Sequence, residues 1–263
     1  MALTVLVSAA GSPGVTTSAL GLTLSWPRPV VLVEADPTGG SAVLAGYFRG
    51  GTAPASGLLD LVWAEREGRL VETLPTVLLP VPDSTVQLLP GVRAHGQSRS
   101  LAGLWQPLAG VLAGLEALGQ DVIVDGGRLG LEGWPEPLLP GADLVLLTVR
   151  SDLVALAAAR SWADTLRAGR EQAGPEAGLG LMLVGEGRPY SGREISAVLQ
   201  LPVIAALAWD EGSAAVFSRG AVPARRFDRS PLPRSLRTAR AAVEAQVTAA
   251  RAALEPMPVE VQR

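Results

Sequence analysis

The 263-residue chain predicts an α/β fold: a mostly parallel central sheet with helices on both faces. Three observations point there. Short runs rich in Val, Leu and Ile alternate with longer helical patterns, the rhythm of βαβ units. Several of those runs are apolar throughout, as strands covered by helices on both sides are. Apolar residues make up 48% of the chain, enough for a buried core of that kind. The strand candidates are Leu3–Ser8, Val30–Glu34, Val86–Leu89, Asp121–Val124, Leu144–Thr148, Gly180–Val184 and Val203–Leu207. The helix candidates are Thr16–Ser25, Gly57–Glu65, Leu101–Leu118, Leu153–Arg167, Arg193–Leu199 and Pro231–Leu254. Segment 66–98 is rich in Pro and Gly and is expected to be irregular around one short strand. Residues 1–254 are expected to form a single domain, and 255–263 a loose tail.

Composition narrows the function classes. Mean hydropathy is positive at +0.30, yet no apolar run approaches the roughly 18 residues of a membrane helix, so no transmembrane segment is expected. The start, MALTVLVSAAG, lacks the basic region of a secretory signal and continues as a strand–loop–helix unit. With no cysteine there is neither a disulfide framework nor a thiolate metal site, and a cytoplasmic location is expected. One histidine, His95, does not suffice for a His-based metal cluster. Net charge is −3, so no strong nucleic-acid signal is present. All 22 basic residues are arginine. No lysine exists anywhere in the chain.

The first strand runs into Ala9-Ala10-Gly11-Ser12-Pro13-Gly14-Val15-Thr16-Thr17 and then a helix. A small-residue turn entering a helix aims several backbone N–H groups at one spot, and the helix dipole adds positive potential there. Gly11, Ser12, Pro13, Gly14, Val15, Thr16 and Thr17 are therefore the candidate phosphate-binding residues. Thr16 or Thr17 offers a hydroxyl to a magnesium ion. The bland reading is a tight strand–helix turn that binds nothing. Asp36, before Thr38, is either a catalytic carboxylate or the cap of an Asp-Pro turn. Asp125, before Gly126-Gly127, is either a metal-side carboxylate or turn chemistry.

The loop resembles the deviant Walker A sequence of the MinD and ParA ATPases, usually K-G-G-x-G-K-T-T. Gly11, Gly14, Thr16 and Thr17 match it, and Ser12 replaces a glycine. The family's signature lysine corresponds to Ala10 and its main phosphate lysine to Val15. The similarity continues in VVLVEADPT (30–38), like the family's second strand and switch I, with Glu34 in place of its first aspartate. It also covers Ser56–Val62, QLLPG (87–91), DVIVDGGR (121–128) and LPVIAALAWDEGSAAVFSRGAVP (201–223), which is similar to the segment lining the base pocket and the helix after it. The resemblance implies a P-loop NTPase architecture with ATP and Mg2+ as cofactors. It assigns Asp36 to positioning the attacking water, and Thr16 and Asp125 to the metal, Asp125 through water. It further implies a homodimer and a protein partner in a partitioning, septum, pilus or secretion assembly. Where the family often places an adenine-reading Asn, this chain has Val184-Gly185-Glu186.

Two functions follow: a nucleotide-binding switch with slow or no ATP hydrolysis, or a pseudo-ATPase scaffold that no longer uses nucleotide. The pilus- and secretion-localising TadZ/CpaE-like branch shares such loop decay. Arg128, Arg150 and Arg188 follow strands on the edge where the loop lies, and one of them either substitutes for the lost lysine or is simply solvated. Trp209 either stacks on a purine or packs. Arg225, Arg226 and Arg229 form a basic patch read as solvated surface or as a contact for an acidic partner or DNA. The site around Val15 is expected to be open.

Overall fold

The computed structural model describes residues 3–10, 12–174 and 178–252. One sheet of eight strands organises them: β1 (Leu3–Ser8), β2 (Val30–Glu34), β3 (Leu79–Pro80), β4 (Val86–Leu89), β5 (Asp121–Arg128), β6 (Leu144–Arg150), β7 (Gly178–Val184) and β8 (Val203–Leu207). The order is β3-β4-β2-β5-β1-β6-β7-β8. Only the two-residue β3 runs antiparallel, as an edge strand. A proline sits there at no cost to a central ladder.

The helices are α1 (Val15–Leu24), α2 (Leu58–Arg66), α3 (Leu70–Val77), α4 (Trp105–Gly114), α5 (Leu153–Ala173), α6 (Gly192–Leu199), α7 (Glu211–Arg219) and α8 (Pro231–Ala252). Side chains alternate along each strand, so every central strand feeds two cores. Val5, Val7, Val31, Val33, Val145 and Leu147 point into one core, which is covered by α2 to α6. Leu6, Val30, Leu32, Leu144 and Leu146 point into the other, covered by α1, α7 and α8. Burial on both faces is the reason these runs read as apolar throughout.

Several expectations change. Segment 66–98 is not irregular: it holds α3, β3 and a 3-10 turn at His95–Leu101. Leu70, Leu74 and Val77 recur at helical spacing and are buried, so burial of that face prevails over Pro75 inside the helix. The helix expected over 101–118 divides into the 3-10 turn, α4 and a second 3-10 turn at Leu115–Leu118. Helix α5 continues to Ala173 because buried Arg170 reaches back to the carbonyls of Leu139 and Ala142. Helix α7 is not among the helix candidates; the resemblance alone implies a helix after the 201–210 stretch. Leu254 and the tail 255–263 lie outside the described residues. Among those described, no single helix is long and apolar enough to cross a membrane.

In a parallel sheet of this order, the loops after β1, β2, β5 and β6 share the edge at the strand C-termini, where ligands of open α/β sheets bind.

Candidate functional site

Helix α1 starts at the end of the β1 loop. Its N-cap is Gly14, at φ 96° and ψ 36°, a left-handed conformation that glycine adopts without strain. Ser12 also has positive φ, at 48°. No side chain caps this helix end and no acidic residue occupies its first turn. The N–H groups of its first turn have no intrahelical acceptor, so they point into the loop with the positive end of the dipole behind them. Gly11 lies outside the described residues.

Successive residues of this turn separate two cavities. Thr16 lines one of 40 Å³ together with Glu34, Asp36, Ser41, Gly91 and Asp125. Thr17 lines another of 230 Å³ together with Ser12, Pro13, Gly14, Arg150 and Trp209. Val15, just before these threonines, turns inward instead: it is 6% exposed and belongs to the core beneath α1 and α8. The expected open site around this side chain is therefore not found. Its contribution to any ligand in the loop falls to its backbone N–H.

The first cavity is a carboxylate site. Asp125 on β5 is buried, and its pKa is pushed up to about 7, first by loss of water. Hydrogen bonds from the Thr16 hydroxyl and the Gly127 N–H pull it down, while the charges of Asp36 and Glu34 push it further up. The Gly127 N–H lies 3.1 Å from Asp125 Oδ1. Gly127 is itself constrained, with φ 63° and its Cα pressed against the Asp36 carboxyl: a Cβ there would sit 2.4 Å from Asp36 Cγ. Asp36 is half-buried and accepts the Thr38 N–H at 2.8 Å, so it does cap its own turn.

Glu34 has a different occupation. Both of its carboxylate oxygens accept from Ser41 Oγ, at 2.7 and 2.6 Å. The N–H groups of Val43 and Gly91 approach it at 3.3 and 3.4 Å. Burial raises its pKa. It clamps the turn after β2 against the loop after β4. Nothing in the sequence pattern marks Ser41 as its partner.

Among the described residues, no three carboxylates or histidines are placed to hold a metal ion together. The donor set here is a hydroxyl, a buried carboxylate and a half-buried one around a space of one-water scale. This fits a hard ion such as magnesium held largely through water and ligand oxygens, and not a chelated metal.

The second cavity is cationic and aromatic. The guanidinium of Arg150, at the end of β6, lies 4.8 Å from the Trp209 ring centroid, and that of Arg188 lies 5.6 Å from it. Arg150 also donates to the Ser12 carbonyl at 3.4 Å. Trp209 donates through Nε1 to Glu211 at 3.1 Å. Buried Ser151 ties the two arginine-bearing loops together: its hydroxyl donates to the Gly185 carbonyl and accepts the Arg188 N–H at 3.0 Å. Glu186, near the family's adenine-reading position, is exposed and accepts the Gly192 N–H at 2.8 Å. Arg128 is exposed at the end of β5 and lines neither cavity.

No protein-family model matches the sequence, and neither does any curated protein. Solved structures do match its fold. The cell division ATPase MinD of Pyrococcus furiosus superposes with a TM-score of 0.72 at 18% identity, covering 93% of this chain and 99% of that one. A ParA family ATPase from Chlorobium tepidum gives 0.71 at 14% identity, over 91% and 97%. The septum site-determining protein MinD of Pyrococcus horikoshii, complexed with Mg-ADP, gives 0.69 at 17% identity, over 95% and 98%. The fold is that of the MinD/ParA P-loop ATPases.

Proposed function

We propose that the chain is a nucleotide-binding switch of the MinD/ParA kind. It binds ATP with Mg2+ at the β1–α1 loop, hydrolyses it slowly or not at all, and positions a partition, septum, pilus or secretion machine. One observation carries this reading. An uncapped helix start, a cavity shared by Thr16, Asp36 and Asp125, and Asp36 lodged against Gly127 meet at one sheet edge. A turn that merely connected β1 to α1 would need none of the three together.

In this reading the first-turn N–H groups and the loop backbone bind the phosphates. The Thr16 hydroxyl and Asp125 hold the ion and its water shell, and Asp36 orients water beside the Gly127 backbone. Bound magnesium would supply charge neutralisation of the phosphates. Slow turnover follows from Val15, which brings no ammonium to a site where such a charge contributes several kcal/mol. The MinD/ParA fold also supports a homodimer with a protein partner, and the loop decay supports the TadZ/CpaE-like branch.

The buried Val15 favours a second reading, a nucleotide-independent scaffold, because a core side chain there no longer serves a ligand. The two separate in a magnesium test. The switch reading expects ATP binding that weakens at least about tenfold on chelation, and likewise in Thr16→Ala and in Asp125→Ala. Binding indifferent to all three would make the loop a turn. Turnover should lie near background. A rate like that of an active ParA protein, abolished in Asp36→Ala, would contradict the slow-hydrolysis claim.

A further inference from the structure

The phosphate loop carries no cation of its own. Ala10 and Val15 stand at its two expected lysine positions, Val15 is sealed in the core, and the whole chain lacks lysine. Polyphosphate in such a loop would meet only N–H dipoles unless a charge arrives from elsewhere. Three arginines follow strands on this edge, and the structure separates them.

Arg128 is exposed and lines neither cavity. Arg188 lies over Trp209 but does not line the loop cavity. Arg150 is the one basic side chain among the described residues that lines the 230 Å³ cavity with Ser12, Pro13, Gly14 and Thr17. Its guanidinium is held by Trp209 at 4.8 Å, which leaves its edge available. A guanidinium has five N–H donors. This one makes a single long bond, 3.4 Å to the Ser12 carbonyl. Its Nε is buried with no partner among the described residues. A buried charged donor left unsatisfied is costly, so such a group normally has a ligand to meet. The two acids lining the same cavity are already engaged: Asp210 accepts the Ser213 N–H at 3.0 Å, and Glu211 accepts from Trp209. Neither makes an ion pair with Arg150.

We propose that Arg150, delivered from β6, is the phosphate-facing cation of this site. It supplies from a neighbouring strand the charge that the loop residues do not. The ligand class is a nucleoside di- or triphosphate, and the inference rests on the reading that the loop binds nucleotide. On binding, the guanidinium keeps its stack on Trp209 and exchanges the Ser12 carbonyl for phosphate oxygens. A planar fork suits that pairing better than a point charge does.

The test is a competition titration of ATP against AMP on the full chain, comparing wild type with Arg150→Ala, Arg150→Gln, Arg150→Lys and Arg188→Ala. The ATP-to-AMP affinity ratio reads the polyphosphate contact independently of the base. Thermal unfolding verifies that each variant is folded, and Arg150→Gln keeps much of the stacked shape without charge. The expected result is a ratio reduced at least about tenfold in Arg150→Ala and Arg150→Gln, largely restored in Arg150→Lys, and unchanged in Arg188→Ala. An unchanged ratio in folded Arg150→Gln, with wild type binding ATP normally, would overturn the role of Arg150 and leave nucleotide binding intact. An equal fall in Arg188→Ala would also overturn it, because the effect would then belong to the Trp209 stack. Wild type that binds neither nucleotide would defeat the nucleotide reading itself, and this proposal with it.

Discussion

The two sides of the β1–α1 loop are built from different chemistry. On the Thr16 side, Glu34, Asp36 and Asp125 line a carboxylate cavity, and two of the three, Asp36 and Asp125, stand where the resemblance to MinD and ParA sequences places acids. On the Thr17 side, Arg150 and Trp209 line a cation–aromatic cavity, with Arg188 on the same ring. The carboxylate side constrains several groups at once. The charges of Asp36 and Glu34 push Asp125 up, and that of Asp36 pushes Glu34 up, so these acids are coupled in little water. The Thr17 side depends on stacking and on one backbone contact, 3.4 Å from Arg150 to the Ser12 carbonyl.

The largest effect is expected at Val15, which precedes the two cavity-lining threonines and packs in the core. Val15→Lys places an ammonium in the α1–α8 core, and we expect a stability loss of about 4 kcal/mol or more in urea unfolding. Restoring the family residue would then harm this chain. A variant as stable as wild type would show that the position opens to the loop after all.

The next effect lies within the carboxylate side. Gly127→Ala adds a Cβ against Asp36 Cγ at a left-handed φ, and should cost about 3 kcal/mol. Denaturant midpoints that do not move would mean that Asp36 and Gly127 are not packed together.

A pH series sharpens the same side. The folded-state pKa of Asp125 is raised to about 7 from 3.8. Between those values the folded state holds a proton that the unfolded state has released. Stability is thus full below about pH 4 and falls as pH rises through 7. The shift sets a ceiling of about 4 kcal/mol, and relaxation of the site should leave about 2 kcal/mol. Asp125→Asn should flatten the curve between about pH 4 and 7, and magnesium with ATP should bind more tightly as pH rises, because the ion displaces the proton. A wild-type curve that climbs across this range would contradict the buried carboxylate.

The smallest effect belongs to the other side. Trp209→Leu removes the ring beneath two guanidiniums and should cost about 1 kcal/mol, since exposed cation–π contacts are weak. A much larger loss would mean that this side is as constrained as the carboxylate side.

These differences also explain what the sequence revealed. Strands β1, β2, β4 and β8 could be bounded to the residue because their runs are dominated by Val, Leu and Ile; β2 ends in Glu34, β4 is followed by Pro90 and β8 is preceded by Pro202. Helix α3 was hidden by Pro75, although Leu70, Leu74 and Val77 carried the correct period. The carboxylate cavity was legible because Glu34 and Asp125 lie at or near the C-terminal ends of strand runs and Asp36 comes two residues after β2. The inward turn of Val15 was not, because only the three-dimensional position of α8 decides what packs there. Arg150 and Trp209 stood among the candidates, but their meeting depends on β6 and the β8–α7 loop sharing an edge, 59 positions apart in sequence. Periodicity carries no signal at that range.

The central claim is that a loop without lysine still binds nucleotide through its backbone and its carboxylate side. Calorimetric titration of the full chain with ATP and ADP, in magnesium and again in chelator, tests it most directly. The account predicts saturable one-to-one binding of both nucleotides, at least about tenfold tighter in magnesium. The absence of binding heat for either nucleotide, at protein concentrations that would reveal a millimolar Kd, would contradict it and leave the scaffold reading in its place.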